Sequence, residues 1–267
     1  MLPPPHSNGA VVITGASSGI GEQLAREFHR RGYQLALIAR RADRLSALTD
    51  ELGPTARALP TDLSKPEERA ALPERLAALN LTAEVLVNNA GLGTSGPVAQ
   101  ADPAGELNLI EVDVSAVVDL CCRFVPGMVA RGRGGVLNVA SVGAFGPVPG
   151  QASYGGAKAF VLSYTHALRE ELRHTGVTAA TLCPGPVKTG FGPAAGVSDE
   201  DAEAALPKAM WLDAATVARI AVDGMSAGKA VIVPGVANRV ASWANHLLPR
   251  RLLLPTVARS HPALRRR

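Results

Sequence analysis

The sequence of 267 residues has few cysteines, no long apolar run and no segment that resembles a signal peptide. Cys121, Cys122 and Cys183 form no CxxC pair, so we expect reduced thiols, no disulfide framework and no metal site. No apolar run reaches the ~18 residues that a membrane span requires. The N-terminal stretch "LPPPHSNGA" lacks the basic and apolar regions of a signal peptide. These absences indicate a cytoplasmic protein.

Acidic residues are also missing from the end of the chain, after Asp223. Lys229 and seven arginines follow that position, whereas residues 1–223 hold 19 of the 27 basic residues and all 23 acidic ones, a net charge of −4. This uneven distribution of charge bears on which partners the protein binds and not on its fold. We expect no nucleic-acid binding, because "RGRGG" (131–135) and the arginines near the C-terminus are not interleaved with aromatic residues.

Hydrophobic residues are abundant, at 47%, and occur in short apolar runs with helical patterns between them. Runs nearly free of polar residues are typical of strands whose two faces are both covered by helices. The pattern predicts an α/β fold, a single domain with a doubly wound parallel sheet of about seven strands. Helices predicted over 21–32 and 153–176 each end at a glycine. The predicted strands are 11–14, 34–39, 56–61, 84–89, 135–140, 178–183 and 230–234.

The stretch "TGASSGIG" follows the first predicted strand and opens the first predicted helix. Its glycines, Gly15, Gly19 and Gly21, permit a tight turn and the close approach of a pyrophosphate to the free N–H groups of the helix N-terminus. Ser17 and Ser18 add hydroxyl donors. The alternative is an ordinary glycine-rich turn. The strand–turn–helix context favours a dinucleotide-binding loop.

The end of the second predicted strand indicates which dinucleotide is bound. A fold that prefers NAD usually has an acidic residue there for the ribose 2′-hydroxyl, whereas an arginine accommodates the 2′-phosphate of NADP. Here Arg40 and Arg41 occupy the place, and the first acidic residue is Asp43. The sequence predicts NADP(H); the alternative is two solvated arginines at a helix start. Asp62, after the third strand, either accepts a hydrogen bond from the adenine amino group or caps the next helix.

Tyr154 and Lys158, in "YGGAK", are one helical turn apart and share a helix face. Reduction of a ketone by hydride creates an alkoxide that needs a proton. A phenol with an ordinary pKa of about 10 serves poorly near neutrality unless an ammonium group lowers that pKa. Ser141, at the end of "LNVAS", is placed to hold the substrate oxygen, although strand ends often carry serines for no catalytic reason. The pattern predicts a hydride-transfer site.

With "NNAG" (88–91) and "PGPVKT" (184–189), these motifs occur in the order and at the separations of the short-chain dehydrogenases/reductases. The chain resembles the classical subgroup of that family over most of its length. The resemblance implies a Rossmann-type sheet ordered 3-2-1-4-5-6-7. It also implies that Ser141 positions the carbonyl group, that Tyr154 is the acid–base, and that Lys158 binds the nicotinamide ribose as well.

The same resemblance implies a set of residues that bind the cofactor along the carboxyl edge of the sheet. Asn89–Gly91 would line a ribose, and Pro184–Thr189 would cover the nicotinamide, with Val187 and Thr189 reaching its carboxamide. The full expected set is Gly15, Ser17, Ser18, Gly19, Ile20, Gly21, Arg40, Arg41, Asp62, Leu63, Asn89, Ala90, Gly91, Tyr154, Lys158, Pro184, Gly185, Val187 and Thr189.

One position departs from the family pattern. The family usually has an Asn on the helix before the serine strand, where it supports a water relay to the lysine, and the matching residue here is Asp113. An ionised carboxylate lacks the amide donors and partly offsets the charge of Lys158. Our hypothesis is a working enzyme, because Ser141, Tyr154 and Lys158 are intact. The alternative is impaired turnover, which would favour a non-catalytic NADP(H)-binding sensor or scaffold.

The stretch 190–212 follows the sixth strand and resembles a substrate lid. Its apolar residues, with others nearby, favour a lipophilic ketone, aldehyde or secondary alcohol as substrate, although they are equally suited to the core. A 3-oxoacyl-thioester reductase is the alternative, since a basic tail would attract an acidic carrier protein. The expected lining residues are Phe145, Val148, Phe191, Met210 and Trp211.

The chain is expected to divide into an N-terminal tail (1–9), a domain (10–235) and a basic amphipathic extension (236–267). We favour docking of the apolar face of this extension on its own subunit or on an oligomer partner; the alternative is peripheral contact with anionic lipid. By analogy with the family, a homodimer or homotetramer would form through helices around 102–130 and 153–175. The apolar face comprises Val236, Val240, Trp243, Ala244 and Leu247.

Overall fold

The computed structural model describes residues 2–247, 251, 254–255, 258 and 264. Within these residues, seven strands form one parallel sheet in the order β3-β2-β1-β4-β5-β6-β7. The predicted fold class and strand order are confirmed, and each strand lies where it was predicted, although β7 has only two residues. The strands are β1 (Gly9–Thr14), β2 (Gln34–Ala39), β3 (Ala56–Pro60), β4 (Thr82–Asn88), β5 (Gly134–Val139), β6 (Val177–Leu182) and β7 (Val231–Ile232).

Helices cover both faces of the sheet, as its nearly uninterrupted apolar strands require. One hydrophobic cluster lies between the sheet and α1, α2 and α9, and a second lies between the sheet and α3, α5 and α6. The helices are α1 (Gly19–Arg30), α2 (Ala42–Leu52), α3 (Pro66–Ala77), α4 (Pro103–Ile110), α5 (Ala116–Ala130), α6 (Ala152–Glu171), α7 (Phe191–Ala194), α8 (Asp199–Ala205), α9 (Ala214–Ser226) and α10 (Val236–Leu247).

The sequence of α1 shows how this packing arises. Leu24, Ala25 and Phe28 form a stripe at helical spacing and are fully buried against the sheet. On the outer side, Glu22 and Arg26 form an ion pair at i and i+4, with 2.6 Å between the carboxylate and the guanidinium group. Because all seven strands are parallel, their carboxyl ends lie at one edge, and the loops that carry the predicted motifs emerge there.

A π-helical turn, Glu111–Ser115, joins α4 to α5 and is the main irregularity of the long helix expected around 102–130. Such turns insert an extra residue into a helix and are frequent at functional sites. This one buries Asp113 completely. The other long helix, α6, ends at Glu171, five residues before the predicted end at Gly176, because residues 172–176 form turns.

Residues 2–8, which were expected to form a tail, lie against the body of the protein. Leu2 packs against the first hydrophobic cluster, and the carbonyl of Pro3 accepts a hydrogen bond from the Tyr33 hydroxyl (2.8 Å). The carbonyl of Asn8 accepts one from the N–H of Thr82 at the start of β4 (2.7 Å). This segment therefore extends the packing at the amino edge of the sheet, opposite the predicted site.

Helix α10 packs through its polar side. Asn238 is fully buried, and its side-chain amide donates to the carbonyls of Met210 (3.0 Å) and Pro234 (2.9 Å). Val236, Val240 and Trp243 of the expected apolar face do not dock on their own subunit, because bonding of Asn238 turns that side outward, whereas Ala244 is half-buried. Docking of the face on an oligomer partner stays a prediction. Val236, Val240 and Trp243 are 67%, 64% and 73% exposed.

The side chain of Leu247 and most of the tail arginines lie outside the described residues. Among the helices of the described part, none has the length and apolar character needed to cross a membrane.

Candidate active site

In the loop between β1 and α1, the glycine positions have no room for a side chain. Gly15 has a left-handed backbone (φ 66°), and a Cβ there would lie 2.8 Å from the Cα of Ala90. A Cβ at Gly21 would collide with the carbonyl oxygen of Gly15 and the side-chain amide of Asn89. The loop thus brings bare backbone to the N-terminus of α1, which suits a pyrophosphate. Ile20, in the first turn of α1, packs partly against the core.

Thr14, the last residue of β1, fixes the glycine loop to the end of β4. Its hydroxyl donates to the carbonyl of Val87 (3.2 Å) and accepts from the N–H groups of Asn89 (2.9 Å) and Ala90 (3.0 Å). The Asn89 side chain donates in turn to the carbonyl of Thr14 (2.9 Å). Asn89 and Ala90 therefore lie beside the loop as expected. This role of Thr14 was not predicted from the sequence, although Thr14 is the first residue of the "TGASSGIG" stretch.

Arg41 reaches from the end of β2 to the serines of the glycine loop. Its Nη2 donates to the hydroxyls of Ser17 (2.9 Å) and Ser18 (2.8 Å), and its Nε also donates to Ser17 (3.2 Å). Arg40 is exposed beside it. The guanidinium group of Arg41 and two hydroxyls are therefore gathered next to the loop, a donor set suited to a further phosphate.

Asp62 closes a turn after β3 and does not cap the next helix. Its Oδ1 accepts from the N–H (3.0 Å) and the hydroxyl (2.8 Å) of Ser64, and the N-cap residue of α3 is Lys65. Burial alone would raise the pKa of the Asp62 carboxyl, but the bonds from Ser64 outweigh it and the pKa is lowered. The capping alternative is wrong, and the adenine contact stays a prediction. Leu63 is buried in the second hydrophobic cluster.

Helix α6 presents Tyr154 and Lys158 one turn apart at the carboxyl end of β5. The Nζ of Lys158 lies 5.7 Å from the centre of the Tyr154 ring. Lys158 is 5% exposed and donates to the carbonyl of Val139, the last residue of β5 (3.2 Å). The half-buried Tyr154 ring lies 5.7 Å from that of Phe191, between ring centres. The phenol and the ammonium group lie together, as their spacing predicts.

Ser141 follows β5 and begins a short 3₁₀ turn, in which its hydroxyl accepts a hydrogen bond from the N–H of Gly143 (3.1 Å). Val148 connects this turn to α6. A Cβ at Gly143 would lie 3.3 Å from a methyl group of Val148, and a Cβ at Gly155 would lie 3.1 Å from the same methyl group. Because Gly155 directly follows Tyr154, the Ser141 turn packs against the part of α6 that carries the phenol.

Asp113 forms a direct ion pair with Lys158. Its Oδ2 lies 2.9 Å from Nζ, and its Oδ1 accepts from the N–H of Leu92 (2.7 Å). Burial raises the pKa of Asp113 against the opposing effects of Lys158 and Leu92. Burial alone would lower the pKa of Lys158, but the attraction of Asp113 contributes to a net increase. Gly91 lies close to both groups, since a Cβ there would be 3.1 Å from Oδ2 and from Nζ.

A chain of buried polar side chains beneath the site connects β4, β5 and α6. The amide of Asn88 donates to Oδ1 of Asn138 (2.8 Å), whose own amide donates to the hydroxyl of Thr165 (2.9 Å). That hydroxyl donates to the carbonyl of Val161 (2.6 Å). The sequence analysis missed this chain, because it depends on the pairing of Asn88 with Asn138 across two strands. The polar residue within the apolar run "GVLNVA" was the available signal.

The segment after β6 closes over the glycine loop. A Cβ at Gly19 would lie 2.8 Å from the Cβ of Thr189. The carbonyl of Pro184 accepts a hydrogen bond from the N–H of Val142 (2.9 Å). Val187 forms an isolated parallel β-bridge with Leu212, two residues before α9 begins. This segment therefore lies between the glycine loop and the Ser141 turn, and its contact with the nicotinamide stays a prediction. Gly185, in its middle, packs against the side chain of Asn238.

Only some of the apolar residues expected to line the substrate pocket lie near the Tyr154 phenol. Phe191 packs against Tyr154, and Val148 packs against the adjacent Gly155. Phe145 instead packs in a third hydrophobic cluster, with Ala144 and Val161. A cavity of about 340 Å³ lies between residues 93–97 and the end of α7. Phe191 borders both Gly93 and Tyr154, so this cavity adjoins the site. Met210 and Trp211 precede α9 and are half-buried.

Two of the three cysteines are buried, and Cys122 is exposed. The three cysteines are free, and burial raises the pKa of Cys121 and of Cys183 to about 12. No group of three or more His, Cys, Asp or Glu side chains within the described residues is placed to hold a metal ion.

Comparison with known proteins agrees with this geometry. The sequence profile described as short chain dehydrogenase matches residues 9–197. The chain is 35% identical over 189 residues to sulfoacetaldehyde reductase 2 of Chromohalobacter salexigens, covering 68% of this chain and 73% of that protein. It is 35% identical over 181 residues to the NADP-dependent 3-hydroxy acid dehydrogenase of Salmonella typhi, covering 66% and 72%.

Among solved structures, a short-chain dehydrogenase from Sphingobium yanoikuyae in complex with NADPH superposes with a TM-score of 0.78 and 33% identity. The superposition covers 92% of this chain and 95% of that one.

Proposed function

The chain belongs to the short-chain dehydrogenase family and is therefore an oxidoreductase of alcohol or carbonyl groups, and we propose that it reduces a lipophilic ketone or aldehyde with NADPH. The reverse reaction would oxidise the matching secondary or primary alcohol. The observation that carries the proposal is the pairing of Tyr154 with Lys158 on one face of α6, next to the end of β5. A protein that only binds a dinucleotide has no need of this pair.

The residues of the site fit NADP(H). The bare backbone of the glycine loop would bind the pyrophosphate at the N-terminus of α1, and Arg41 with Ser17 and Ser18 would bind the 2′-phosphate. The relative from Salmonella typhi is named as NADP-dependent, and the solved structure from Sphingobium yanoikuyae contains NADPH. When bound, NADPH supplies the hydride that reduces the carbonyl carbon.

Three side chains of this chain would complete the reaction. The hydroxyl of Ser141 would donate a hydrogen bond to the carbonyl oxygen and orient it towards Tyr154. The phenol of Tyr154 would donate its proton to that oxygen as the alcohol forms. Lys158, held by Val139 and Asp113, would fix the electrostatic environment of the phenol and bind the nicotinamide ribose. In the oxidative direction, the same phenol would accept the proton of the alcohol.

The environment of the phenol supports an apolar substrate, since Phe191 packs against Tyr154 and Val148 packs against the neighbouring Gly155. The two relatives are named for charged substrates, sulfoacetaldehyde and 3-hydroxy acids. We propose that residues 190–212 form the lid that selects among carbonyl compounds. A 3-oxoacyl-thioester reductase is the rival activity, and a non-catalytic NADP(H) sensor is the rival of another class.

The test is NADPH oxidation, followed by absorbance, across lipophilic ketones, aldehydes, 3-oxoacyl thioesters, small anionic aldehydes and 3-oxo acids. NADH is run in parallel, and Tyr154→Phe is the control variant. Turnover with NADPH that Tyr154→Phe abolishes is the expected result, and the ranking of substrates identifies the class. Tight NADPH binding without turnover of any compound would contradict the enzyme and favour the sensor.

A homodimer or homotetramer is part of the proposal. Leu107 on α4 and Phe160 on α6 are 69% and 41% exposed, so each of the two helices expected at the interface carries an exposed apolar side chain. Light scattering of the wild type and of Leu107→Ser with Phe160→Ser tests it. Unchanged mass on substitution would contradict an interface on these helices. A cytoplasmic location is also proposed, consistent with three free thiols.

We propose anionic lipid as the partner of the exposed face of α10. Val236, Val240 and Trp243 form an apolar stripe, Arg239 is exposed on the same helix, and no acidic residue follows Asp223. This combination is typical of interfacial helices. Full-length protein should sediment with vesicles that contain phosphatidylserine and less with neutral vesicles.

Trp243→Ser should weaken sedimentation with the anionic vesicles, and Trp211→Ser serves as the matched control. Equal sedimentation of wild type and Trp243→Ser would contradict the lipid contact. A loss of self-association in Trp243→Ser would also contradict the lipid contact, because it would assign the apolar stripe to an oligomer interface.

A further inference from the structure

The buried carboxylate of Asp113 has no role in the chemistry proposed above, yet it contacts the lysine of the site. Asp113 is 0% exposed and Lys158 is 5% exposed, and 2.9 Å separates Oδ2 from Nζ. Removing two charges from water is costly, so such a pair is maintained only where each charge meets its partner at close range. The pair is therefore a fixed part of the electrostatic environment of Tyr154, whose ring centre lies 5.7 Å from Nζ.

The contacts of Asp113 indicate that its carboxyl group is ionised. Its Oδ1 accepts from the N–H of Leu92, and its Oδ2 faces the ammonium group of Lys158. Both neighbours are donors. A protonated carboxyl would itself need an acceptor for its proton, and Lys158 cannot serve as one, because its raised pKa keeps its amine an ammonium group. The ionised form matches both contacts.

Among the described residues, the other groups around the pair add no charge to it. Lys158 also bonds the neutral carbonyl of Val139 and lies near Cys183, whose thiol stays protonated because burial raises its pKa to about 12. Phe191 from α7 packs against Tyr154, and Val148, between the Ser141 turn and α6, packs against the adjacent Gly155; both are uncharged. The phenol therefore faces a lysine whose charge is already compensated by Asp113.

We propose, resting on the function proposed above, that Asp113 is a positioning residue that compensates Lys158 and keeps the Tyr154 phenol protonated at neutral pH. An uncompensated ammonium group at this range would favour the phenolate. In carbonyl reduction the O–H bond of Tyr154 breaks, a new O–H bond forms on the substrate oxygen, and the phenolate regains a proton from solvent. The compensation favours the direction in which the phenol is the proton donor, whereas alcohol oxidation, which needs the phenolate, requires alkaline pH.

The direct test is a titration that needs no substrate. The chain has only three tyrosines, and burial raises the pKa of both Tyr33 and Tyr164. The absorbance of tyrosinate is followed against pH in wild type and in Asp113→Asn, and each curve is corrected with the same protein carrying Tyr154→Phe. The midpoint assigned to Tyr154 should fall by about one pH unit in Asp113→Asn. Asp223→Asn, which changes an exposed carboxylate, should leave it unchanged.

Activity provides the second measurement. The alkaline rise in the rate of alcohol oxidation should move to lower pH by the same amount in Asp113→Asn, and the rate at neutral pH should rise about tenfold. If Asp113→Asn fails to fold, the tyrosinate titration of the wild type decides alone. A Tyr154 phenolate that is already formed at neutral pH would overturn the proposal. So would identical titration midpoints in wild type and Asp113→Asn. A shifted midpoint without turnover of any substrate would uphold the electrostatic inference and reject the proposed function instead.

Discussion

The guanidinium group of Arg41 donates to the hydroxyl of Ser17 at 2.9 Å, and so joins the end of β2 to the glycine loop. Arg41→Gln removes the charge that would meet a 2′-phosphate but leaves a side chain of similar length. We expect the KM for NADPH to rise roughly tenfold to a hundredfold, in line with the loss of a charge-assisted bond of about 1.5–3 kcal/mol. The KM for NADH should change little.

The matched control is Arg44→Gln, one turn further along the exposed side of α2. It should leave the KM for both cofactors unchanged. Steady-state kinetics with the two cofactors check this, and an equal rise for NADH and NADPH in Arg41→Gln would assign Arg41 to the loop structure instead of the phosphate.

Lys158→Met leaves the carboxyl group of Asp113 buried without its partner. Breaking a buried ion pair in this way costs about 3–5 kcal/mol. Urea denaturation at neutral pH should show this loss in the free energy of unfolding. The double variant Lys158→Met with Asp113→Leu should recover much of it, since no buried charge remains.

The loss in Lys158→Met should depend on pH. Burial raises the pKa of Asp113 in the folded protein, and removal of Lys158 strengthens that effect. A group with a raised folded pKa favours the folded state below its unfolded pKa of about 3.9, and this contribution is lost as pH rises through the folded pKa. The variant should therefore approach wild-type stability in mild acid. A deficit that is the same in acid and at neutral pH would contradict an unpaired carboxylate as its cause.

Two glycines near the site should respond oppositely to alanine. A Cβ at Gly21 collides with the carbonyl of Gly15, so Gly21→Ala should destabilise the protein by roughly 1–3 kcal/mol and weaken NADPH binding. Gly156 lies in α6, and a Cβ there meets no atom within 4 Å. Gly156→Ala should stabilise the fold by about 0.5–1 kcal/mol. Thermal unfolding with and without NADPH measures both effects.

Deletion of residues 2–8 should destabilise the protein although the segment is far from the site. It would remove Leu2 from the core, the acceptor of the Tyr33 hydroxyl and the contact of His6 with the buried carboxylate of Glu84 (3.5 Å). We expect a loss of about 2–4 kcal/mol, from one core side chain and one buried hydrogen bond. Denaturant midpoints measure it, and a midpoint equal to wild type would show that the segment contributes nothing to folding.

Much of the fold and part of the site were predictable, because they depend on local patterns. Apolar runs between helical patterns located all seven strands, and the spacing of Tyr154 and Lys158 placed both on one helix face. Short-range rules predicted less at the ends of elements. The predicted end of α6 at Gly176 was five residues too late, since α6 ends at Glu171. Asp62 was left open between two roles, and its side chain instead bonds Ser64 two residues on, a local turn that competes with helix capping.

The sequence by itself determined the positions of the strands, the glycine loop and the phenol–ammonium pair, since each follows from residue type, hydrophobic pattern or helical spacing. The order of the strands in the sheet was implied by the family resemblance. Only the tertiary structure decided which groups from distant segments meet. The π-helical turn buries Asp113 against Lys158, strand register pairs Asn88 with Asn138, and bonding of Asn238 turns the apolar face of α10 outward. These contacts depend on how separate elements pack, and packing is a property of the whole core rather than of any one segment.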